Sequence, residues 1–154
     1  MLRTTTIYGL IIAASLIAYF LLMKLLGLHQ YPALSIVNAF LFGGGIYRAI
    51  RTYRRDHPNN EYLDAWQVGI LSGATATIIF TGFMAVYMYQ IDSVFANQML
   101  ASWSINYNTG VLIMLLSMVL MGFSTTMVCV LSFMQLFKTS WNTTKTARVA
   151  DSRS

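Results

Sequence analysis

Charge is scarce in this sequence. Asp, Glu, Lys and Arg make up 10% of its residues against 56% hydrophobic, whereas a soluble domain carries roughly 25% charged residues. That excludes water as the main solvent, and 154 residues leave room for one compact domain and little else. Cysteine is nearly absent too. Cys129 stands alone, which excludes an intramolecular disulfide and any zinc site built on several thiolates. Acidic residues number 5 against 10 basic ones, a net charge of +5. In a soluble chain that excess would point to nucleic acid. Here the cations lie between and after apolar runs, which is a membrane-topology pattern, and no nucleic-acid partner is expected.

Catalytic and metal-binding patterns are missing as well. There is no H-E-x-x-H, G-x-S-x-G, Walker or dinucleotide motif. His29 and His57 are expected on opposite sides of the membrane and cannot share a metal. Cys129 lies within a helix without an evident histidine base, so it reads as packing. Asp56, Glu61 and Asp64 sit beside arginines and read as charge balance or helix capping. Met114, Met118 and Met121 on one helix read as flexible packing rather than copper ligands. No catalytic residue, metal or cofactor is expected.

What the sequence does contain is four apolar stretches. The pattern predicts an all-α integral membrane bundle over residues 1–138, with spans at about 7–28, 33–50, 65–91 and 110–137, and a polar cytoplasmic tail at 139–154. The first stretch is too long for a signal peptide and lacks a small-residue cleavage site, so it reads as a retained span, with Lys24 turning its ammonium to the interface. His29, Gln30, Tyr31 and Pro32 form the expected connection to span two. Residues Ala65 to Ile91 form 27 uncharged positions, about 40 Å of helix against a hydrocarbon core of about 30 Å. Trp66, Tyr87 and Tyr89 read as interfacial anchors. Between spans three and four, Val94, Phe95, Met99 and Trp103 are spaced for a short amphipathic surface helix.

The basic residues orient this bundle. With four spans, Arg3, Arg48, Arg51, Arg54, Arg55, Lys138, Lys145, Arg148 and Arg153 all fall on one side, leaving only Lys24 opposite. The positive-inside rule then places both termini in the cytoplasm of a bacterial inner membrane protein. Arg48, Arg51 and Arg55 recur on one helix face, and with Arg54 they read first as topology and headgroup contact, and second as a docking site for a partner or phosphorylated lipid.

Two intramembrane features stand out. Gly69, Gly73, Thr77 and Thr81 recur every four residues, a small-residue face that permits close helix approach where lipid supplies no hydrophobic push. It serves either packing within the bundle, with Gly122 and Thr126 as a counterface, or docking of a second copy or partner subunit. Asn38 is the most polar group of span two and needs a partner such as Ser117 or Ser124; lining a polar path is the alternative. A fainter echo aligns Gly9, Leu10, Ala13, Ala14, Ser15 and Phe20 with Gly69, Ile70, Gly73, Ala74, Thr75 and Phe80, as a duplicated hairpin would.

Several short segments carry a family resemblance: Tyr8-Gly9-Leu10 opening span one, Ile50-Arg51-Thr52-Tyr53-Arg54 closing span two, Trp66-Gln67-Val68-Gly69 before span three, and Tyr89-Gln90-Ile91-Asp92 closing it. In these the chain resembles a family of small, functionally uncharacterised four-span bacterial membrane proteins, a domain of unknown function. It departs from that family in a shorter, polar C-terminal tail and a compact first loop. The resemblance implies a fold and no catalytic residues. The expected function is a noncatalytic membrane protein acting through helix packing, as a homo-oligomer or an accessory subunit of a membrane complex, with membrane lipids around it. A small oligomeric transporter or channel with a path near Asn38, Thr75 and the Ser117–Thr126 face is the alternative. A lipid-modifying enzyme using His57, Asp56, Glu61 and Asp64 is third.

Overall fold

A computed structural model of the chain describes residues 2–27, 35–57, 62–101 and 106–137. The connections expected around His29–Pro32 and Pro58–Glu61, together with Trp103 and the tail from Lys138 to Ser154, lie outside the described residues. The described chain is all-helical: α1 Leu2–Leu25, α2 Ser35–Asp56, α3 Tyr62–Val86 continued by a π-helical turn Tyr87–Ile91, α4 Ser93–Leu100 and α5 Tyr107–Leu136.

Helices are the form in which an apolar segment satisfies its own backbone without water. The hydroxyls within them follow the same rule, bonding back to the carbonyl four residues earlier, as Thr6 does to Leu2 (3.0 Å), Ser15 to Ile11 (2.8 Å) and Ser117 to Ile113 (2.8 Å). Just past the end of α1, Gly27 turns the chain with a φ of +69°, in the left-handed region that glycine adopts without a Cβ penalty.

Among the described residues, three helices are long and apolar enough to cross a membrane: Leu2–Leu25, Tyr62–Ile91 and Tyr107–Leu136. Their outward surfaces carry large apolar side chains, among them Leu10, Ile11, Ile78, Leu116 and Val128, a surface suited to lipid and not to water. The protein is a membrane protein. α2 joins two halves of different character, an apolar start and an end with four arginines, so its composition as a whole falls short of the other three.

α3 is the central element, in contact with α1, α2 and α5. The core divides into two clusters. One gathers Ile12, Ile46, Ile50, Val68 and Val130 near the end where α2 turns basic; the other gathers Met84, Met88, Ala96, Leu100 and Val111 at the far end. α4 belongs to the second cluster. Phe95, Ala96 and Leu100 are buried while Val94 is exposed, so the helix packs its apolar side onto the bundle rather than presenting Val94 and Phe95 together to a surface. Tyr87 is likewise buried and not an interfacial anchor, whereas Tyr89 is exposed.

Candidate functional site

The small-residue face of α3 meets α5 in an antiparallel seam of constant register. A Cβ at Gly69 would lie 2.8 Å from Val130 Cγ2 and 2.9 Å from Ile50 Cδ1. One turn on, the Thr126 side chain occupies the space that a Cβ at Gly73 would take, and on the next turn Thr77 does the same at Gly122. Each threonine donates its hydroxyl to its own helix, Thr77 to Gly73 O (2.9 Å) and Thr126 to Gly122 O (2.7 Å). Both Cγ2 methyls meet the opposite glycine. Gly69, Gly73 and Thr77 are therefore covered within one chain and offer no room to a second copy.

Thr81, the fourth residue of the row, lies beyond this seam. With Asn38, Ala39 and Phe42 of α2, Leu16 of α1, Thr77 and Phe80 of α3, and Met118, Met121, Gly122 and Thr125 of α5 it lines a cavity of about 380 Å³. α2 and α5 approach each other towards the basic end, where a Cβ at Gly43 would stand 3.6 Å from Cys129 Sγ and Tyr47 contacts the rings of Phe133 and Phe137 at 5.4 and 5.6 Å. The cavity lies further along, between Asn38 of α2 and the Met118–Thr125 stretch of α5, with α3 as its floor. Two of its polar atoms, Asn38 Oδ1 and Thr81 Oγ1, are buried without a hydrogen-bond partner among the described residues. This corrects the expected pairing of Asn38: Ser117 bonds to Ile113 O instead, and Ser124 is exposed.

The far end holds a cluster that the sequence reading missed. Lys24 is not simply turned out to the interface; its Nζ lies 2.7 Å from Asp92 Oδ2, with both side chains 25% exposed, and 4.4 Å from the Phe95 ring centroid. Asp92 also caps α4 by accepting from Phe95 N at 2.8 Å. Phe20 meets the rings of Tyr87 and Phe95 edge-on at 5.2 and 6.0 Å. The π-helical turn shifts the register so that Asp92 N donates to Tyr87 O (2.9 Å), and Tyr107 Oη donates to Met88 O (2.7 Å). A signal was present: Lys24 and Asp92 are the only formally charged side chains expected at that end, and they are of opposite sign.

The hydrogen bond to Lys24, then that to Phe95 N–H, holds the Asp92 carboxyl below its ordinary value of 3.8. A depressed folded-state pKa stabilises above the unfolded value, and that contribution disappears as pH falls through the folded one. α4 should therefore loosen as pH drops below about 3.8. Hydrogen exchange of the α4 amides should show this, and Asp92→Asn should remove the pH dependence in that range while leaving α4 looser at neutral pH.

At the basic end, Arg48, Arg51 and Arg55 are exposed on one side of α2, opposite the buried Ile46, Ala49, Ile50 and Tyr53. Arg54 departs from them and lies over the Phe137 ring at 5.1 Å. His57 stacks on Tyr53 (4.6 Å) and Asp56 pairs with Arg55 (3.3 Å). Among the described residues no three His, Cys, Asp or Glu side chains are grouped as metal ligands. Three of the segments that carried the resemblance converge here. Tyr8 Oη and Thr52 Oγ1 share a hydrogen bond of 2.8 Å, Gly69 lies against Ile50, and a Cβ at Gly9 would stand 2.8 Å from Thr75 Cβ and 3.2 Å from Ser72 O.

A family model described as protein of unknown function (DUF4199) matches residues 7–110, the stretch holding most of α1, all of α2 to α4, and the Tyr8–Thr52, Gly69–Ile50 and Gly9–Thr75 contacts. The chain belongs to this family. The matched stretch ends at Gly110, so most of α5 lies outside it, although α5 supplies half of the glycine–threonine seam. No curated protein matches, and no solved structure matches.

Proposed function

We propose that this member of the DUF4199 family is a noncatalytic four-span protein of the bacterial cytoplasmic membrane that acts through its lipid-facing helix surfaces, as a homo-oligomer or accessory subunit. The fourth span is α2, entering the membrane by its apolar start. The Arg48, Arg51 and Arg55 face then lies against anionic headgroups, with both termini in the cytoplasm, because nine of the ten basic residues fall on that side.

The observation that carries the assembly reading is on α5. Its most apolar window is only 11% buried, against 39% for α3. Leu112, Leu116, Leu120, Phe123, Met127 and Leu131 form an exposed row on it, with steps of four, four, three, four and four residues, the spacing of a helix–helix seam. A partner helix would meet this row, since the α3 glycines are covered.

Chemical cross-linking of a Leu120→Cys variant, with Cys129→Ala to remove the native thiol, tests it in native membranes. A disulfide-linked dimer, or a defined larger species in native mass measurement, is the expected outcome. A monomer with no cross-link and no co-purifying subunit would sink the reading. The transport alternative has less support: Asn38 and Thr125 share the cavity, but Thr75 packs against Gly9 and Ser117 is exposed and bonded to its own helix. The enzyme alternative has less still, since His57 and Asp56 are engaged with Tyr53 and Arg55.

A further inference from the structure

The outward side of α2 changes character along its length. Val37, Leu41, Gly44, Arg48, Arg51 and Arg55 recur at steps of four, three, four, three and four residues and are all exposed, so a single stripe of the helix passes from apolar to basic. Phe40, 76% exposed, stands beside its apolar half. Arg54 points elsewhere, over the Phe137 ring. Among the described residues, Arg48 and Arg51 form no ion pair; those present join Lys24 to Asp92 and Arg55 to Asp56.

These two unneutralised cations decide what kind of molecule covers the stripe. A second copy of the chain side by side in the same membrane would set arginine against arginine, which disfavours it. An anion is selected instead. Free phosphate would use the arginines and leave Val37, Phe40 and Leu41 uncovered, whereas one phospholipid matches both halves, its phosphate on the guanidinium groups and a chain along the apolar residues. Arg48 and Arg51 are about 4.5 Å apart along the helix axis, close enough for both guanidinium groups to reach one phosphate.

Gly44 sits where the two halves join, one turn after Phe40 and one turn before Arg48. Its neighbours in sequence are glycines for reasons of packing: a Cβ at Gly43 would meet Cys129, and one at Gly45 would meet Ile12. A Cβ at Gly44 would meet nothing within 4 Å. Glycine weakens an exposed helix relative to alanine, and no contact within the described chain requires it here. It leaves a notch between an exposed ring and an arginine. Gly82 on α3 is equally open, but no cation lies within a turn of it.

We propose that this surface of α2 is a discrete binding site for one anionic phospholipid, with the phosphate held by Arg48 and Arg51, the glycerol ester region in the notch at Gly44, and an acyl chain along Val37, Phe40 and Leu41. The site deepens the headgroup contact stated above and rests on α2 being a span. It does not depend on which side of the membrane the arginines emerge, or on the row along α5.

Native mass spectrometry of the full-length protein in mild detergent tests the site, because detergent removes the surface potential of the bilayer and what stays bound reports a local contact. Dioleoyl phosphatidylglycerol should bind at one molecule per chain, about tenfold tighter than dioleoyl phosphatidylcholine, and excess inorganic phosphate should not displace it. Arg48→Gln and Arg51→Gln should each weaken binding about fivefold, and Arg54→Gln, which removes the same charge from another side of the helix, should weaken it much less. Gly44→Leu should weaken it as strongly as either arginine variant while keeping native size and thermal stability, since the added side chain fills the notch and touches no part of the chain. Equal binding of the two lipids, equal losses from all three arginine variants, an unaffected Gly44→Leu, or a co-purifying protein released by Arg48→Gln in place of lipid would each overturn the proposal. If Gly44→Leu loses its native size, the comparison of Arg48, Arg51 and Arg54 decides alone. The span itself is read separately in native membranes with a membrane-impermeant maleimide on Cys129→Ala backgrounds: Asp56→Cys should react in opened membranes and Phe40→Cys should not. Reaction of Phe40→Cys would sink the four-span reading and the site with it; protection there combined with no preference for phosphatidylglycerol would sink the site alone.

Discussion

Gly73→Ala should destabilise the folded chain by about 1–2 kcal/mol, and Gly73→Leu by about 3 kcal/mol or more. Alanine is the better helix former by up to about 1 kcal/mol, so the sign depends on what the new methyl meets. It meets Thr126, a β-branched residue with one strongly constrained rotamer and 1% exposure. Neither side chain can yield without moving α3 away from α5. The loss should appear in an SDS titration of the purified protein as an earlier unfolding midpoint, with membrane insertion unchanged because neither substitution makes the span more polar. Pairing Gly73→Ala with Thr126→Gly should recover part of the loss, and this non-additivity separates a direct clash from a general weakening of α3. Strictly additive effects would mean that the two positions do not meet.

Phe95→Ala should cost about 3–5 kcal/mol, the usual range for removing a buried aromatic ring. Phe95 is 5% exposed and touches three groups at once: the Phe20 ring, the Tyr87 ring and the Lys24 ammonium. The expected damage is local. α4 has only eight residues, too few to hold a helix without tertiary contacts, so its amides should exchange freely while those of α1 and α3 near Ile12 and Val68 stay protected. Phe95→Leu should lose much less, because it retains the apolar volume and forfeits only the ring contacts. Uniform loss of protection through the whole bundle would contradict a separate far-end cluster.

The helical architecture was legible because α1, α3 and α5 are each announced by a long apolar run, and in lipid a backbone has no other economical way to satisfy its polar groups. The short helix before α5 was legible from its apolar spacing, but not the side that side chain spacing would bury. Val94 and Phe95 are neighbours in sequence and point apart on a helix; only the position of Phe20 and Tyr87 decides which one is covered. Thr81 shows the same limit. Four-residue spacing placed it on one face with Gly69, Gly73 and Thr77, yet α5 covers the first three, and the fourth lines a cavity.

By itself the sequence determined that the chain is helical, apolar and membrane-embedded, that four arginines cluster towards the end of α2, and that α3 carries a face of small residues. These properties follow from composition and period, which act residue by residue. The tertiary structure decided which partner each face meets: α5 for the glycines of α3, Asp92 for Lys24, Phe137 for Arg54, and a cavity for Asn38 and Thr81. Pairing across the bundle depends on helix register and on where α2 and α5 diverge. Spacing along one helix contains neither, because the contacts join residues tens of positions apart.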